Sequence, residues 1–335
     1  MFASNQAEPP HGNPFPAGEP RNFRFVRRSA NFFYNCAVAI LQVVILAIVQ
    51  GLAELLPISS SAHVILAEKL LGLDPSSPSM TLLLVMLHTG TMFAVIVYFW
   101  KDWQSHYFSS MAAFKTIAWQ IVLATALTGV VGEALIKIIE KTILAGQPHA
   151  EIENLFSHLE LIAPALAAAG ILILVAGLRE NRTPAGESSA AGRSEQRPCD
   201  DGLDLGRAGI IGAVQGLCLP FRGFSRSGAT ISAGMLAGVG KARAEAFSFA
   251  LAVVLTPPVV GREVLRLIRA EHIAGTAALA SAAVPSVVGA VMAFLAGLVA
   301  LKWLSQWLMT GRWYFFGIYC FFAAAAVGYL HHLGY

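Results

Sequence analysis

Val49-Gln50-Gly51-Leu52-Ala53-Glu54-Leu55-Leu56-Pro57-Ile58-Ser59-Ser60-Ser61-Ala62-His63 is the stretch whose reading decides the fold. It starts as an apolar helix, is broken by Pro57, and restarts on a run of serines. Its opening recurs later as Val214-Gln215-Gly216-Leu217. There too a break follows, at Pro220, and then a serine doublet, Ser225-Arg226-Ser227. One shared tetrapeptide is weak, but the same order of tetrapeptide, break and Ser-x-Ser argues for an internal duplication.

Composition sets the surroundings. Of 335 residues, 56% are hydrophobic and 13% charged, against about 25% charged in soluble domains. Mean hydropathy is +0.62. Too little polar surface remains to cover so much apolar side chain in water, which excludes a disordered chain and a typical cytosolic enzyme. The net charge of +3 comes from short basic clusters between apolar runs, the pattern of membrane loops, so no nucleic-acid partner is expected. Cys36, Cys199, Cys218 and Cys320 are scattered without a CxxC pair, and neither a zinc site nor a disulfide framework is expected.

The expected fold is an all-α integral membrane protein. Residues 1–31, rich in Pro, Gly, Asn and Arg, read as a disordered N-terminal tail. The basic residues before the apolar run 32–56 imitate a signal peptide, but the run is too long for one and leads into the densest motif, so it is expected to be retained. Apolar windows follow at 80–100, 117–139, 159–178, 244–261, 273–301 and 313–333, most near the ~20 residues that cross a bilayer. Residues 179–207 are hydrophilic and divide membrane repeat 1 (32–178) from membrane repeat 2 (208–335). Each repeat also holds two pieces too short or broken to span: 36–56 with 61–73, and 208–219 with 229–239. Paired interruptions of this kind point to re-entrant half-helices around a buried site. A re-entrant hairpin plus three spans gives an odd number of crossings, so two inverted-topology repeats are expected. That makes about six transmembrane helices and two re-entrant helical hairpins. Lys and Arg are almost evenly divided between the two sides and select no orientation.

Polar residues inside apolar runs carry the functional reading. Glu54 lies in an otherwise apolar helix, where a carboxylate costs about 2.5–3.5 kcal/mol at the bilayer centre. Gln50, four residues earlier, shares its face. Glu133 has a weaker claim, because Lys137 stands where it can pair. Ser59, Ser60 and Ser61 can cap a helix start, and the free N–H groups there also attract anions. His63 is open to three roles: acid/base, nucleophile or cavity wall. The second motif, Gly223-Phe224-Ser225-Arg226-Ser227-Gly228-Ala229-Thr230, puts a forked guanidinium among hydroxyls and glycines, a pattern suited to phosphate oxygens.

With these residues in view, VQGLAELLPISSSAH (49–63) and GFSRSGATIS (223–232) resemble the two signatures of the undecaprenyl-diphosphate phosphatase family, the bacitracin-resistance membrane phosphatases. LHTGTMFAVIVYFW (87–100) and FSFALAV (247–253) support the likeness. The resemblance implies removal of the terminal phosphate of undecaprenyl diphosphate, which returns the lipid carrier to cell-wall synthesis. It also implies a bacterial inner-membrane setting with the site facing the periplasm, and a divalent cation, Mg2+ or Ca2+, as cofactor. Carried over residue by residue, it implies Glu54, Ser60, His63 and Arg226 as catalytic groups. Of the matched positions, Ser59, Ser225, Ser227 and Thr230 would bind substrate, and Gln50 with Glu54 would hold metal. Ser61 and Gly228, at variable positions of the signatures, are expected to bind substrate beside them. The family's Pro-Gly is Arg222-Gly223 here, Arg222 offering a second phosphate contact, and the acid before FSF is displaced to Glu245. Ser60 is the favoured nucleophile with His63 as its proton partner or the leaving-group acid, and His63 as nucleophile with Ser60 only hydrogen-bonding phosphate stays open. Partners are membrane lipid and a polyprenyl diphosphate substrate, whose chain needs an apolar groove. The small residues of 277–300 serve close helix packing or leave a gap. Whether copies form a homo-oligomer is left open. The competing function is a transporter or flippase of a polyprenyl phosphate, since interrupted inverted repeats are also transporter architecture.

Overall fold

The computed structural model describes residues 40–73, 77–142, 159–182, 202–221, 223–274 and 276–332. The tail 1–31, most of the hydrophilic linker (183–201) and Arg222 lie outside the described residues. Residues 43–335 form one compact unit, and Met1–Gln42 another of which only Ile40–Gln42 is described.

Among the described residues there are ten helices and no strand: α1 Ile40–Leu55, α2 Ser60–Leu70, α3 Pro78–His106, α4 Met111–Thr142, α5 Leu159–Arg182, α6 Leu205–Leu217, α7 Arg226–Leu236, α8 Lys241–Ala274, α9 Thr276–Met309 and α10 Tyr314–His332. Helices α3, α4, α5, α8, α9 and α10 are long and apolar enough to cross a membrane. This is the six-span count expected. α2 and α7 have 11 residues each, a rise of about 16 Å, which falls well short of the ~30 Å hydrocarbon layer.

The short helices turn back rather than cross. At one end of the bundle Trp103 Nε1 of α3 donates to Ala246 O of α8 (3.3 Å). Gln120 Nε2 of α4 reaches Leu203 O just before α6 (2.8 Å), and Lys241 of α8 pairs with Glu180 of α5 (2.9 Å). Helix α6 therefore enters where α8 begins, and α7 returns to that same end through residues 237–240. α1 and α2 do the reverse, α2 leading back to the start of α3. Local chemistry sets the stops. Asp204 caps α6 by accepting from Arg207 N (2.8 Å), Ser77 and Pro78 start α3, and Pro57 and Pro220 follow the ends of α1 and α6.

Packing relates the two repeats. A Cβ on Gly51 of α1 would lie 2.7 Å from Ala293 O, 2.7 Å from Ala296 Cβ and 3.2 Å from Gly297 N on α9. On Gly216 of α6 it would lie 2.8 Å from Thr128 O, 2.8 Å from Val131 Cβ and 3.1 Å from Gly132 N on α4. Thr128, Val131 and Gly132 precede Ala293, Ala296 and Gly297 by the same number of residues that separates Gly51 from Gly216. The inverted duplication is compatible with this cross-match. Small residues of α9 are thus used for close approach to α1 and α3, as a Cβ on Gly90 of α3 would fall 2.2 Å from Ala290 O. On the outer face of α4, Glu133 and Lys137 pair at 3.3 Å, both well exposed, as their spacing implied.

Candidate active site

The two hairpin tips meet inside the protein. Ser227 Oγ donates to Leu56 O (3.4 Å), and Gly228 lies so close to Pro57 that an added Cβ would come within 3.0 Å of the proline ring. Cys320 of α10 donates its thiol to Pro57 O (3.3 Å). Backbone carbonyls freed at the first break are thereby satisfied within the protein, a requirement at membrane depth.

Arg226, the first residue of α7, reaches across this junction and puts Nη2 2.9 Å from Glu54 Oε1. Glu54 is mostly buried and Arg226 about one-third exposed. The other carboxylate oxygen, Oε2, accepts from Gln50 Nε2 at 3.3 Å, and the Ser60 hydroxyl also faces the carboxylate. Glu54, Arg226 and Ser227 line a small polar cavity together with His88, Thr91 and Ser248. Gln50, Glu54, Ser60 and Arg226 are therefore brought together.

Ser225 caps α7, its hydroxyl accepting from Gly228 N at 3.2 Å. Thr230 is fully buried and donates to Arg226 O (2.8 Å), with a further short contact to Ser248. These groups hold the turn that aims Arg226. Gly228 serves the close approach of the hairpins. Ser59 has φ +67°, the left-handed region that costs a residue other than glycine of order 1–3 kcal/mol. Its Oγ lies 3.3 Å from Ser61 Oγ. The strained turn starts α2 with a changed helical phase, so Ser60 faces Glu54 while His63 turns elsewhere.

His63 has both ring nitrogens engaged, Nδ1 with Ser59 O (2.8 Å) and Nε2 with Tyr319 Oη (2.7 Å). It lines a second, apolar and larger groove between α1, α9 and α10, walled by Leu52, Leu56, Trp303, Trp307 and Phe316 among others. α1 separates the polar cavity from this groove.

His88 on α3 was missed as a site residue, although it stands in one of the stretches carrying the family resemblance. Its Nε2 lies 3.8 Å from Glu54 Oε2. A histidine inside an apolar span is itself a signal of function. Among the described residues no three His, Cys, Asp or Glu side chains cluster as a metal site. The donors grouped at Oε2 are one carboxylate, one amide and one imidazole.

Fold and site define a multi-pass helical membrane protein with a guanidinium beside a carboxylate where two interrupted hairpins meet. The chain belongs to the bacitracin resistance protein BacA family, whose model matches residues 43–326. It is 57% identical over 287 residues to undecaprenyl-diphosphatase 2 of Acinetobacter baylyi, covering 85% of this chain and 95% of that protein. An undecaprenyl-diphosphatase of Desulfosudis oleivorans is 36% identical over 84% of this chain and 94% of its own length. One of Rhodopirellula baltica is 31% identical with the same two coverages.

Proposed function

We propose that this membrane enzyme hydrolyses undecaprenyl diphosphate to undecaprenyl phosphate and inorganic phosphate. It would thereby recycle the lipid carrier for peptidoglycan synthesis and confer bacitracin resistance. The observation that carries the reading is the Arg226–Glu54 pair at 2.9 Å with Ser60 beside it, in a cavity separated by one helix from an apolar groove.

Arg226 transfers its guanidinium from Glu54 to the terminal phosphate when substrate enters, and stabilises charge on the transferring oxygens. That exchange frees Glu54 Oε1 to take the proton of Ser60. Ser60 Oγ then bonds to the terminal phosphorus as the bond to the bridging oxygen breaks, and undecaprenyl phosphate leaves with the bridging oxygen. Glu54 passes that proton to the departing phosphate oxygen and is a carboxylate again. It then takes a proton from water, whose oxygen bonds to phosphorus as the P–O bond to Ser60 breaks, and it returns this proton to Ser60 Oγ, releasing inorganic phosphate. Ser60 is favoured over His63 as nucleophile because it faces Glu54, whereas both His63 nitrogens are held. The apolar groove beside His63 suits the prenyl chain.

A divalent cation, Mg2+ or Ca2+, fits the donor set. Glu54 Oε2 and the Gln50 amide oxygen, brought round by a half-turn of the amide, would hold it with phosphate oxygens. When bound it supplies Lewis-acid polarisation of the phosphoryl group. The proposed setting, the bacterial inner membrane with the polar cavity open to the periplasm, rests on the family resemblance. A transporter reading leaves the Ser60–Glu54 juxtaposition without a task.

The test follows phosphate release from undecaprenyl diphosphate by purified protein in detergent, with and without chelator. Wild type should release phosphate. Glu54→Gln, Ser60→Ala and Arg226→Ala should each lose about 10²-fold or more in kcat. Silence of the wild type with metal and substrate present would overturn the enzyme reading. A phosphate adduct trapped on His63 would reverse the nucleophile.

A further inference from the structure

We infer that His88 is a third protein ligand of the divalent cation, completing a Gln50–Glu54–His88 set around Glu54 Oε2. The inference rests on the proposed cation at Glu54 and goes beyond it in naming the ligand and the class of metal.

Three observations carry it. First, His88 Nδ1 lies 2.8 Å from Leu84 O, a carbonyl one turn earlier. A carbonyl only accepts, so Nδ1 bears the hydrogen, and in the neutral ring Nε2 is the nitrogen that carries the lone pair. A metal-bound histidine has this arrangement, with the far N–H tied to a carbonyl that fixes tautomer and ring orientation. Second, Nε2 lies 3.8 Å from Glu54 Oε2. The separation exceeds the ~2.7–3.2 Å of a hydrogen bond. Two ligands each about 2.1 Å from one ion stand ~3.0 Å apart when adjacent and ~4.2 Å apart when opposite. The 3.8 Å to His88 falls inside that range, and the Gln50 amide, which donates to Oε2 at 3.3 Å, would bring its oxygen to the same place by a half-turn. Third, Arg226 occupies Oε1, not Oε2. The carboxylate thus has one oxygen for the guanidinium and one for a cation.

The remaining wall of the cavity leaves the task to His88. Besides Glu54, His88 and Arg226 its lining consists of Thr91, Ser227, Ser248, Thr256 and apolar side chains, with no second carboxylate. His63 faces the other cavity. An imidazole beside a single carboxylate favours a first-row transition ion, Co2+ more strongly than Mn2+, over Ca2+, which takes oxygen donors alone.

The experiment reads coordination directly. Purified full-length protein in detergent is loaded with Mn2+, the affinity is measured by titration, and electron-spin-echo modulation of the bound ion reports any coordinated nitrogen. Wild type is expected to show a histidine nitrogen and to bind Mn2+ more tightly than Ca2+. His88→Gln should lose the nitrogen signal and weaken Mn2+ binding at least tenfold. His88→Asp, which restores a charged ligand, should recover affinity without the nitrogen. His63→Gln should keep both. A wild-type Mn2+ site without nitrogen overturns the assignment, whatever the variants do. So does a nitrogen signal that survives His88→Gln. If Glu54→Gln binds Mn2+ like wild type, the cation reading beneath the inference fails instead.

Discussion

Gly51 and Gly216 should be equally intolerant of a methyl group, and the reason can be worked from distances. Ordinary van der Waals contact begins near 3.4 Å, whereas an added Cβ would meet Ala293 O and Ala296 at 2.7 Å from Gly51, and Thr128 O and Val131 at 2.8 Å from Gly216. Each helix pair must therefore open by about 0.6–0.7 Å. The first atoms met include backbone, which cannot rotate aside. Overpacking of this kind costs about 1–3 kcal/mol, set against a gain of ~0.8–1.0 kcal/mol for alanine over glycine in a helix. Gly129, on α4 between the residues that Gly216 touches, supplies the control, because nothing lies within 4 Å of its would-be Cβ. Gly129→Ala should register the propensity gain alone. Gly51→Ala and Gly216→Ala should each fall below it by ~1–3 kcal/mol and match one another, measured by denaturant or thermal unfolding in one detergent. Gly51→Ala should also slow phosphate release, because Glu54 lies one turn further along α1. Gly51→Ala or Gly216→Ala as stable as Gly129→Ala would refute the close packing. A large difference between the two would refute their equivalence.

Arg226→Lys keeps the charge but not the fork, and should lie between wild type and Arg226→Ala in kcat, with phosphate release as the measure. Ser59→Gly removes the left-handed strain and should raise unfolding stability by about 1 kcal/mol, even where activity drops with the lost hydroxyl; an unchanged melting curve would argue against strain. Trp313→Phe leaves the buried Ser232 hydroxyl without its 3.0 Å indole donor and should cost ~1–3 kcal/mol, read by the same unfolding assay. Tyr319→Phe frees His63 Nε2. If His63 only lines the groove, kcat should change less than threefold while KM for long-chain substrate shifts.

Charge scarcity made Glu54 and Arg226 legible, since each interrupts an apolar run at a high solvation cost, and the duplicated tetrapeptide exposed the hairpins. Side-chain direction past a break was not legible. The φ of +67° at Ser59 resets the helical phase, so the spacing between Glu54 and His63 says nothing about whether they meet, and they line different cavities. His88 escaped because a lone histidine in a span reads as cavity wall until the fold sets it beside a carboxylate from another helix. The apolar groove draws on α1, α9 and α10, segments far apart in the chain, and no local pattern announces it. For the small residues of α9 the commoner expectation, close packing, is what the glycine contacts display.

The Glu54–Arg226 pair spans 172 residues of chain, and this distance has a meaning for synthesis. At ~5–20 residues per second, a ribosome that has just made Glu54 needs roughly 9–34 seconds to make its partner. Through that interval the first hairpin has no second tip to receive Leu56 O or to crowd Pro57, and its carboxylate has no guanidinium. The first repeat must wait in the membrane, or at its edge, in a form that differs from the finished one. Completion of the site is therefore also a late checkpoint of assembly: a chain truncated before α7 would carry every catalytic candidate of the first repeat and still lack the contact that seats them.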